Sequence, residues 1–382
     1  MSKSRTLDVD LSSGEHYQIR IGKGALSAVG PAVRQVCDGA KAVVISDETV
    51  GPAYGKLVKK RLAEAGFEAF DLLVPPGEQS KSPELAVELA EELARIGVDR
   101  NDVLVAVGGG VVGDLTGFVA STYKRGIAFV QVPTTLLAMV DASIGGKTAV
   151  NLQAGKNLFG TFHQPRFICS DVRCLRTLSD EDWACGFGEV AKSAMIAPRR
   201  SFYEWLRDNA AALREHDEQA LEEVVYRTAQ FKATVVAEDA TEAGRRECLN
   251  YGHTLAHAIE AAAGYGTIAH GRAVAEGMRF SARLSVEVLG LEPDVAFAQD
   301  ALLDALGLEE IPWTADAGYL QQLMQADKKT RNGQVRFVLL RDIAKWEVVA
   351  VPDETIQAHL RAWAKSKARL VAKNGGVMWG EE

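Results

Sequence analysis

Apolar and polar residues alternate near the start of the chain, with Leu7, Val9 and Leu11 and then Tyr17, Ile19 and Ile21 on the apolar side. A period of two over two short stretches predicts a β-hairpin or an edge pair. The pattern then shifts to compact β-branched runs, AVVIS at 42–46 and VLVAV at 103–107, separated by helical periodicity such as SPELAVELAEELARIG at 82–97. FVQVP at 129–133 adds a further strand. Strand and helix in alternation imply a mostly parallel, doubly wound α/β sheet. From about residue 178 the strand signal gives way to long amphipathic stretches, among them ALEEVVYRTAQFKATVVAED at 220–239. A β-like pair, VRFVLL at 335–340 and KWEVVAV at 345–351, interrupts them. The expected organisation is an α/β domain over 1–175 and a mainly α-helical domain over 176–382.

Composition narrows the class. At 382 residues the chain exceeds what one core usually serves, which agrees with two domains. Hydrophobic content of 47% and charged content of 25% are ordinary for a globular enzyme. No apolar run approaches the roughly 20 residues that span a bilayer, and the first residues, MSKSRTLDVD, lack a signal-peptide core, so no membrane association and a cytoplasmic location are expected. Cys37, Cys169, Cys174, Cys185 and Cys248 form no CxxC pair and read as reduced structural thiols. A formal charge of -8 disfavours nucleic acid as a partner, although a local cluster of cations can still grip a small anion.

The chemistry concentrates in RECLNYGHTLAHAIEAAAGYGTIAHGRAVAEGM at 246–278, which holds His253, His257 and His270 of only seven histidines. His253 and His257, four apart, share a helix face, and a Gly-containing turn can fold His270 back toward them. Two imidazoles suit a divalent metal, and a catalytic site adds a carboxylate while keeping positions open; Glu189 in GFGEVAK is the candidate. GGGVVGDLTGF at 108–118 follows a strand and opens a helix, the context in which backbone N–H groups meet a pyrophosphate, although it is not GxGxxG. Asp47 and Glu48 end an early strand where they can accept from ribose hydroxyls, and PPGEQSKS at 75–82 places Glu78 and Lys81 on a turn. Between 134 and 165, Lys147 and Lys156 lie in Gly-rich surroundings with Asp141, Asn151 and Asn157, a set suited to phosphate or carboxylate.

With these residues in place the chain resembles the 3-dehydroquinate synthases, within the sugar phosphate cyclases. The resemblance rests on GGGVVGD, VPTTLLAMVDASIGGKTAVN, GKNLFGTFHQP, GEVAK, the segment from Lys232 to Glu260, HGRAVAEGM and DKKTRNG. It implies an NAD-dependent, Zn2+- or Co2+-assisted lyase of the shikimate pathway, hence of aromatic amino acid biosynthesis, acting on a sugar phosphate, and a homodimer. It also implies that Glu189, His253 and His270 ligate the metal. Asp141, Lys147, Lys192, Asn250 and His257 fall on catalytic positions. Arg125, Lys156, Asn157, Lys232, Asp239, Arg246 and one of Lys328 or Lys329 fall on substrate-binding ones. For NAD the matching positions are Asp47, Glu48, Glu78, Lys81, Gly109, Gly110, Val111, Gly113, Asp114, Thr134, Thr135 and Thr177, with Lys147 and Lys156 shared. Three residues beside the ligands depart from the common pattern: Gly188, Ala256 and Arg272. A cyclase of the aminodehydroquinate or valiolone type and a metal-dependent polyol dehydrogenase therefore stay open at this point.

Overall fold

The computed structural model describes residues 4–240, 244–326 and 334–373. Its contacts divide the chain into two compact units, Met1–Ser179 with Glu218–Thr241, and Asp180–Asp217 with Glu242–Glu382.

The first unit opens with the expected antiparallel pair, β1 (Arg5–Asp10) and β2 (His16–Ile21), in register from Arg5 opposite Ile21 to Asp10 opposite His16. Next come α1 (Val29–Val36), β3 (Lys41–Asp47), α2 (Lys56–Glu64) and β4 (Glu68–Val74). α3 (Pro83–Ile96) begins where the Ser82 side chain accepts from the Leu85 N–H and stops at Gly97, whose φ of 73° suits a residue without a Cβ. β5 (Val103–Gly108), buried along its whole length, leads into α4 (Gly110–Thr122) and β6 (Ala128–Pro133). The Gly-rich stretch that follows folds as a hairpin of β7 (Lys147–Leu152) and β8 (Gly155–Phe162) before β9 (Phe167–Ser170).

The sheet runs β1-β2-β9-β6-β5-β3-β4, parallel except for the β1/β2 pair. Val43, Ile45, Leu104 and Phe129 of the strands pack against Leu89 and Leu93 of α3 and Leu115, Phe118 and Val119 of α4, all buried. The chain leaves β3 toward β4 on one side and returns to β5 on the other. This places the topological switch between the carboxyl ends of β3 and β5, where sheets of this type receive ligands.

The second unit starts with α5 (Asp180–Ile196) and α6 (Ser201–Arg214). α7 (Glu218–Glu238) then groups with the first unit, whereas a single boundary near 175 would leave it among the helices. The reason is local. Glu223 pairs with Arg5, whose guanidinium lies 3.2 Å from the Tyr226 ring centre, and the Ala237 carbonyl accepts from the Ser12 N–H. The second unit continues with α8 (His253–Ala263), α9 (His270–Leu289), α10 (Pro293–Ala305) and α11 (Ala317–Ala326). The late β-like pair is β10 (Arg336–Asp342) with β11 (Lys345–Ala350), and α12 (Asp353–Lys373) follows. No helix among the described residues is long and apolar enough to cross a membrane.

Candidate active site

In the second unit, α5 and α8 both pack against α9 at distances only glycine permits. A Cβ on Gly188 of α5 would lie 2.5 Å from the Cα of Gly271, and one on Gly277 of α9 would lie 1.8 Å from the Gly252 carbonyl oxygen. Gly188, one of the departures beside the ligands, is thus explained by close helix approach. The three helices bring Glu189, His253 and His270 together, with one potential ligand atom from each within 4.8 Å of the others.

Glu189 is almost wholly buried, and its Oε1 lies 3.3 Å from His253 Nε2 and 3.4 Å from His270 Nε2. The Lys192 ammonium, one turn along α5 and equally buried, pairs with Oε2. Burial alone would raise the Glu189 pKa, but the Lys192 charge and the His253 imidazole hold it well below the usual range. His253 Nδ1 sits 3.2 Å from the Tyr251 carbonyl, which fixes the ring with Nε2 toward Glu189. Burial disfavours charge on His270, yet the neighbouring Glu189 and Glu260 carboxylates push its pKa up to about 10, so an entering metal must displace that proton.

Neither Glu189 oxygen makes a hydrogen bond of normal geometry. A buried carboxylate left so, facing two imidazole Nε2 atoms, fits a cation among the three. Glu260, absent from the sequence expectations, approaches His270 Nδ1 at 3.3 Å, as a carboxylate orienting a ligating histidine does. Its signal was present, since residues 253, 257 and 260 fall on one face of α8. His257 lies outside the trio, its ring centre 5.5 Å from that of His253. Arg246 is fully buried and Asn250 half-buried in the turn before α8.

Ala256 is buried in α8, its amide 3.2 Å from where a Gly277 Cβ would stand. Arg272 turns to Glu181, 3.2 Å from its Nε, and donates to the Gly307 carbonyl.

In the first unit the expected nucleotide positions gather at the carboxyl edge of the sheet. Asp47 ends β3 and accepts from the N–H groups of Thr49 and Val50, both at 2.8 Å, while the Glu48 N–H donates to the Val74 carbonyl at the end of β4. Gly109, Gly110, Val111, Gly113 and Asp114 form the turn after β5 and the first turn of α4, which has no side-chain cap. Uncapped N–H groups at a helix start suit a pyrophosphate. A Cβ on Gly113 would lie 2.6 Å from Gln131 Oε1, so this glycine also lets α4 sit on β6. Thr134 and Thr135 follow β6, the Thr134 N–H donating to the Gly108 carbonyl and Thr135 Oγ1 accepting from the Ala138 N–H. Thr177 is 3.3 Å from the Tyr54 hydroxyl.

The buried Lys81 ammonium lies 2.6 Å from both Asp114 Oδ2 and Asn157 Oδ1. Burial nevertheless raises the Asp114 pKa. Lys232 of α7 donates to the Asp141 carbonyl at 2.6 Å and pairs with its carboxylate. Lys147 starts β7 exposed, Lys156 is half-buried in β8, and Asp239 is half-buried just past α7. Arg125 is exposed with φ of 66°, next to Lys124 at 48°. Lys328 and Lys329 lie outside the described residues.

Comparison with known proteins adds a third line. The family model described as 3-dehydroquinate synthase N-terminal matches residues 71–185, and its C-terminal counterpart matches 186–330. A 3-dehydroquinate synthase from Dehalococcoides mccartyi is 39% identical over 351 residues, covering 90% of this chain and 97% of its own. Among solved structures, 2-deoxy-scyllo-inosose synthase complexed with carbaglucose-6-phosphate, NAD+ and Co2+ matches with a TM-score of 0.83 at 26% identity, over 94% of this chain and 100% of that one. ValA, the 2-epi-5-epi-valiolone synthase from Streptomyces hygroscopicus subsp. jinggangensis with NAD+ and Zn2+ bound, matches at 0.82 and 27% identity, over 92% and 97%.

Proposed function

The chain belongs to the 3-dehydroquinate synthase family, and from that premise we propose that it converts 3-deoxy-D-arabino-heptulosonate 7-phosphate into 3-dehydroquinate and phosphate, using NAD and a divalent metal. The observation that carries the reading is the convergence of Glu189, His253 and His270 in a chain of this family.

Those three residues would hold the metal, Zn2+ or Co2+, with positions left for substrate hydroxyls. When bound, the metal supplies Lewis acidity that lowers the pKa of a hydroxyl, and NAD supplies a reversible hydride acceptor. The carboxyl-edge residues Asp47, Glu48, Glu78, Lys81, Thr134, Thr135 and Thr177, together with the Gly109–Asp114 turn, would hold NAD. Arg246 presents a buried guanidinium, and Lys147, Lys156 and Lys232 add ammonium groups. Each unit of this acidic protein thus offers cations of the kind that a substrate bearing phosphate and carboxylate needs. Lys192 keeps Glu189 ionised, and so a competent ligand, despite burial.

His257 and Asn250 are assigned to the substrate hydroxyls, His257 taking or returning a proton at an imidazole nitrogen. Oxidation of one hydroxyl makes a ketone that acidifies the adjacent C–H, and the departing phosphate carries that proton away on its own oxygen, so at the elimination these residues need only hold the substrate. Reduction, ring opening and an intramolecular aldol step then complete the carbocycle.

Arg272 is engaged by Glu181, which supports keeping the family's own substrate in spite of that departure. The test compares turnover of the heptulosonate phosphate, a heptulose 7-phosphate lacking the carboxylate, and an amino analogue, each before and after chelation and Zn2+ return. The heptulosonate is expected to be preferred over the heptulose phosphate by at least roughly a hundredfold, as loss of a charge-paired group implies, and to be turned over faster than the amino analogue. Preference for either alternative would reassign the substrate.

A further inference from the structure

The β7/β8 ladder is interrupted. Val150 faces Phe159 and Leu152 faces Gly155, so Asn151 alone stands opposite Lys156, Asn157 and Leu158. An irregularity of this kind deprives backbone groups of ladder partners and re-aims side chains. Asn151 supplies the missing partner, its Oδ1 accepting the Asn157 N–H at 2.9 Å. Asn157 has φ of 55°, a conformation that residues with a Cβ seldom adopt without support.

The other end of the same side chain reaches the turn after β4. Asn151 Nδ2 donates to Glu78 Oε1 at 2.8 Å, and the Asn151 N–H donates to the Lys81 carbonyl at 2.8 Å. Lys81 closes the ring by donating to Asn157 Oδ1 and to Asp114 Oδ2, the first residue of the ring that belongs to α4. The amide orientation is dictated by its neighbours, because an acceptor must face the Asn157 N–H and a donor must face the Glu78 carboxylate. One short side chain therefore fastens the turn bearing Glu78 and Lys81 to the bulge bearing Lys156 and Asn157.

We propose that Asn151 is a positioning residue for the reaction, holding the nucleotide turn and the substrate bulge in one shared arrangement. The inference rests on the reading above, in which Glu78 and Lys81 serve NAD and Lys156 and Asn157 serve the substrate. Asn151→Asp keeps an acceptor for the Asn157 N–H but sets a carboxylate against Glu78. Asn151→Ala removes both bonds.

The test uses the full-length, Zn2+-loaded protein, with NAD affinity by calorimetry, KM and kcat from phosphate release at saturating NAD, and thermal unfolding alongside. Asn151→Asp is expected to weaken NAD about tenfold while the substrate KM stays within about twofold. Asn151→Ala is expected to weaken both by about tenfold, the scale of a lost charge-assisted hydrogen bond. NAD affinity within twofold of the parent in the variants would overturn the proposal, whatever the melting temperature does, because a residue serving only the hairpin's packing would move stability alone. If Asn151→Ala gives no folded protein, the near-isosteric Asn151→Asp decides the question. Absence of NAD binding by the unaltered protein would sink the functional reading, and this inference with it, before any variant is compared.

Discussion

Glu189 meets opposing demands. A carboxylate stripped of water is costly, and in a protein it either neutralises or finds charged partners. Here Lys192 and two imidazoles keep it ionised, while its geometry with all three leaves hydrogen-bonding capacity unmet. His270 is the member whose loss is most informative, since it opens α9 and is braced from the far side by Glu260. His270→Ala is expected to lower metal affinity by roughly a hundredfold or more and to abolish metal-dependent turnover, while NAD affinity stays near that of the parent. Metal content after dialysis, with NAD calorimetry on the same sample, checks both halves. A variant that kept stoichiometric zinc and activity would remove His270 from the ligand set.

At the scale of elements, the metal trio depends on helices approaching more closely than side chains normally allow. Gly188→Ala would force α5 and α9 apart, because its Cβ meets backbone rather than a movable side-chain tip. The expected cost is about 1–3 kcal/mol of stability, with weaker metal binding as Glu189 shifts relative to His270. Denaturant unfolding with and without Zn2+ would measure both, and an unchanged metal affinity would show that the spacing is not needed.

Asp171, at the end of β9, holds a different junction. It accepts from the N–H groups of Gly24 and Leu26 and pairs with Arg173. Burial alone would raise its pKa, but Arg173 and those N–H groups bring it below the usual range. Its stabilising contribution is therefore fully present above the unfolded value near 3.9 and lost as pH falls through the folded value. Asp171→Asn should cost about 1–3 kcal/mol from pH 5 upward, with the difference from the parent shrinking below pH 4. A gap that stayed constant into acid would refute the linkage.

The sequence made the strands β3, β5 and β6 and the helix α3 legible, because burial on both faces or along one stripe writes a clear period. It hid β7 and β8, whose exposed second strand has no apolar alternation to display, and β9, only four residues long. His253 and His270 could be named because three of only seven histidines fall within 253–270, and Glu189 because a His pair in a catalytic metal site calls for a carboxylate. The role of Asn151 could not, since it arises from a ladder interruption that no local pattern records.

At the scale of the whole molecule, the carboxyl-edge residues proposed to hold NAD and the His2Glu trio belong to one chain, each set in its own unit. A simple dehydrogenase needs both as well, but its products would include NADH. A cyclase returns the hydride it takes, so its net reaction releases phosphate with no redox change. The ammonium groups of Lys147, Lys156 and Lys232, all in the first unit of a protein of formal charge -8, agree with an anionic ligand.

The most direct measurement is phosphate release from 3-deoxy-D-arabino-heptulosonate 7-phosphate by the Zn2+-loaded protein with NAD, followed together with NADH absorbance. Many turnovers of phosphate without accumulating NADH are the expected result. NADH rising in step with substrate consumption, or no phosphate release by metal- and NAD-loaded protein, would contradict the account.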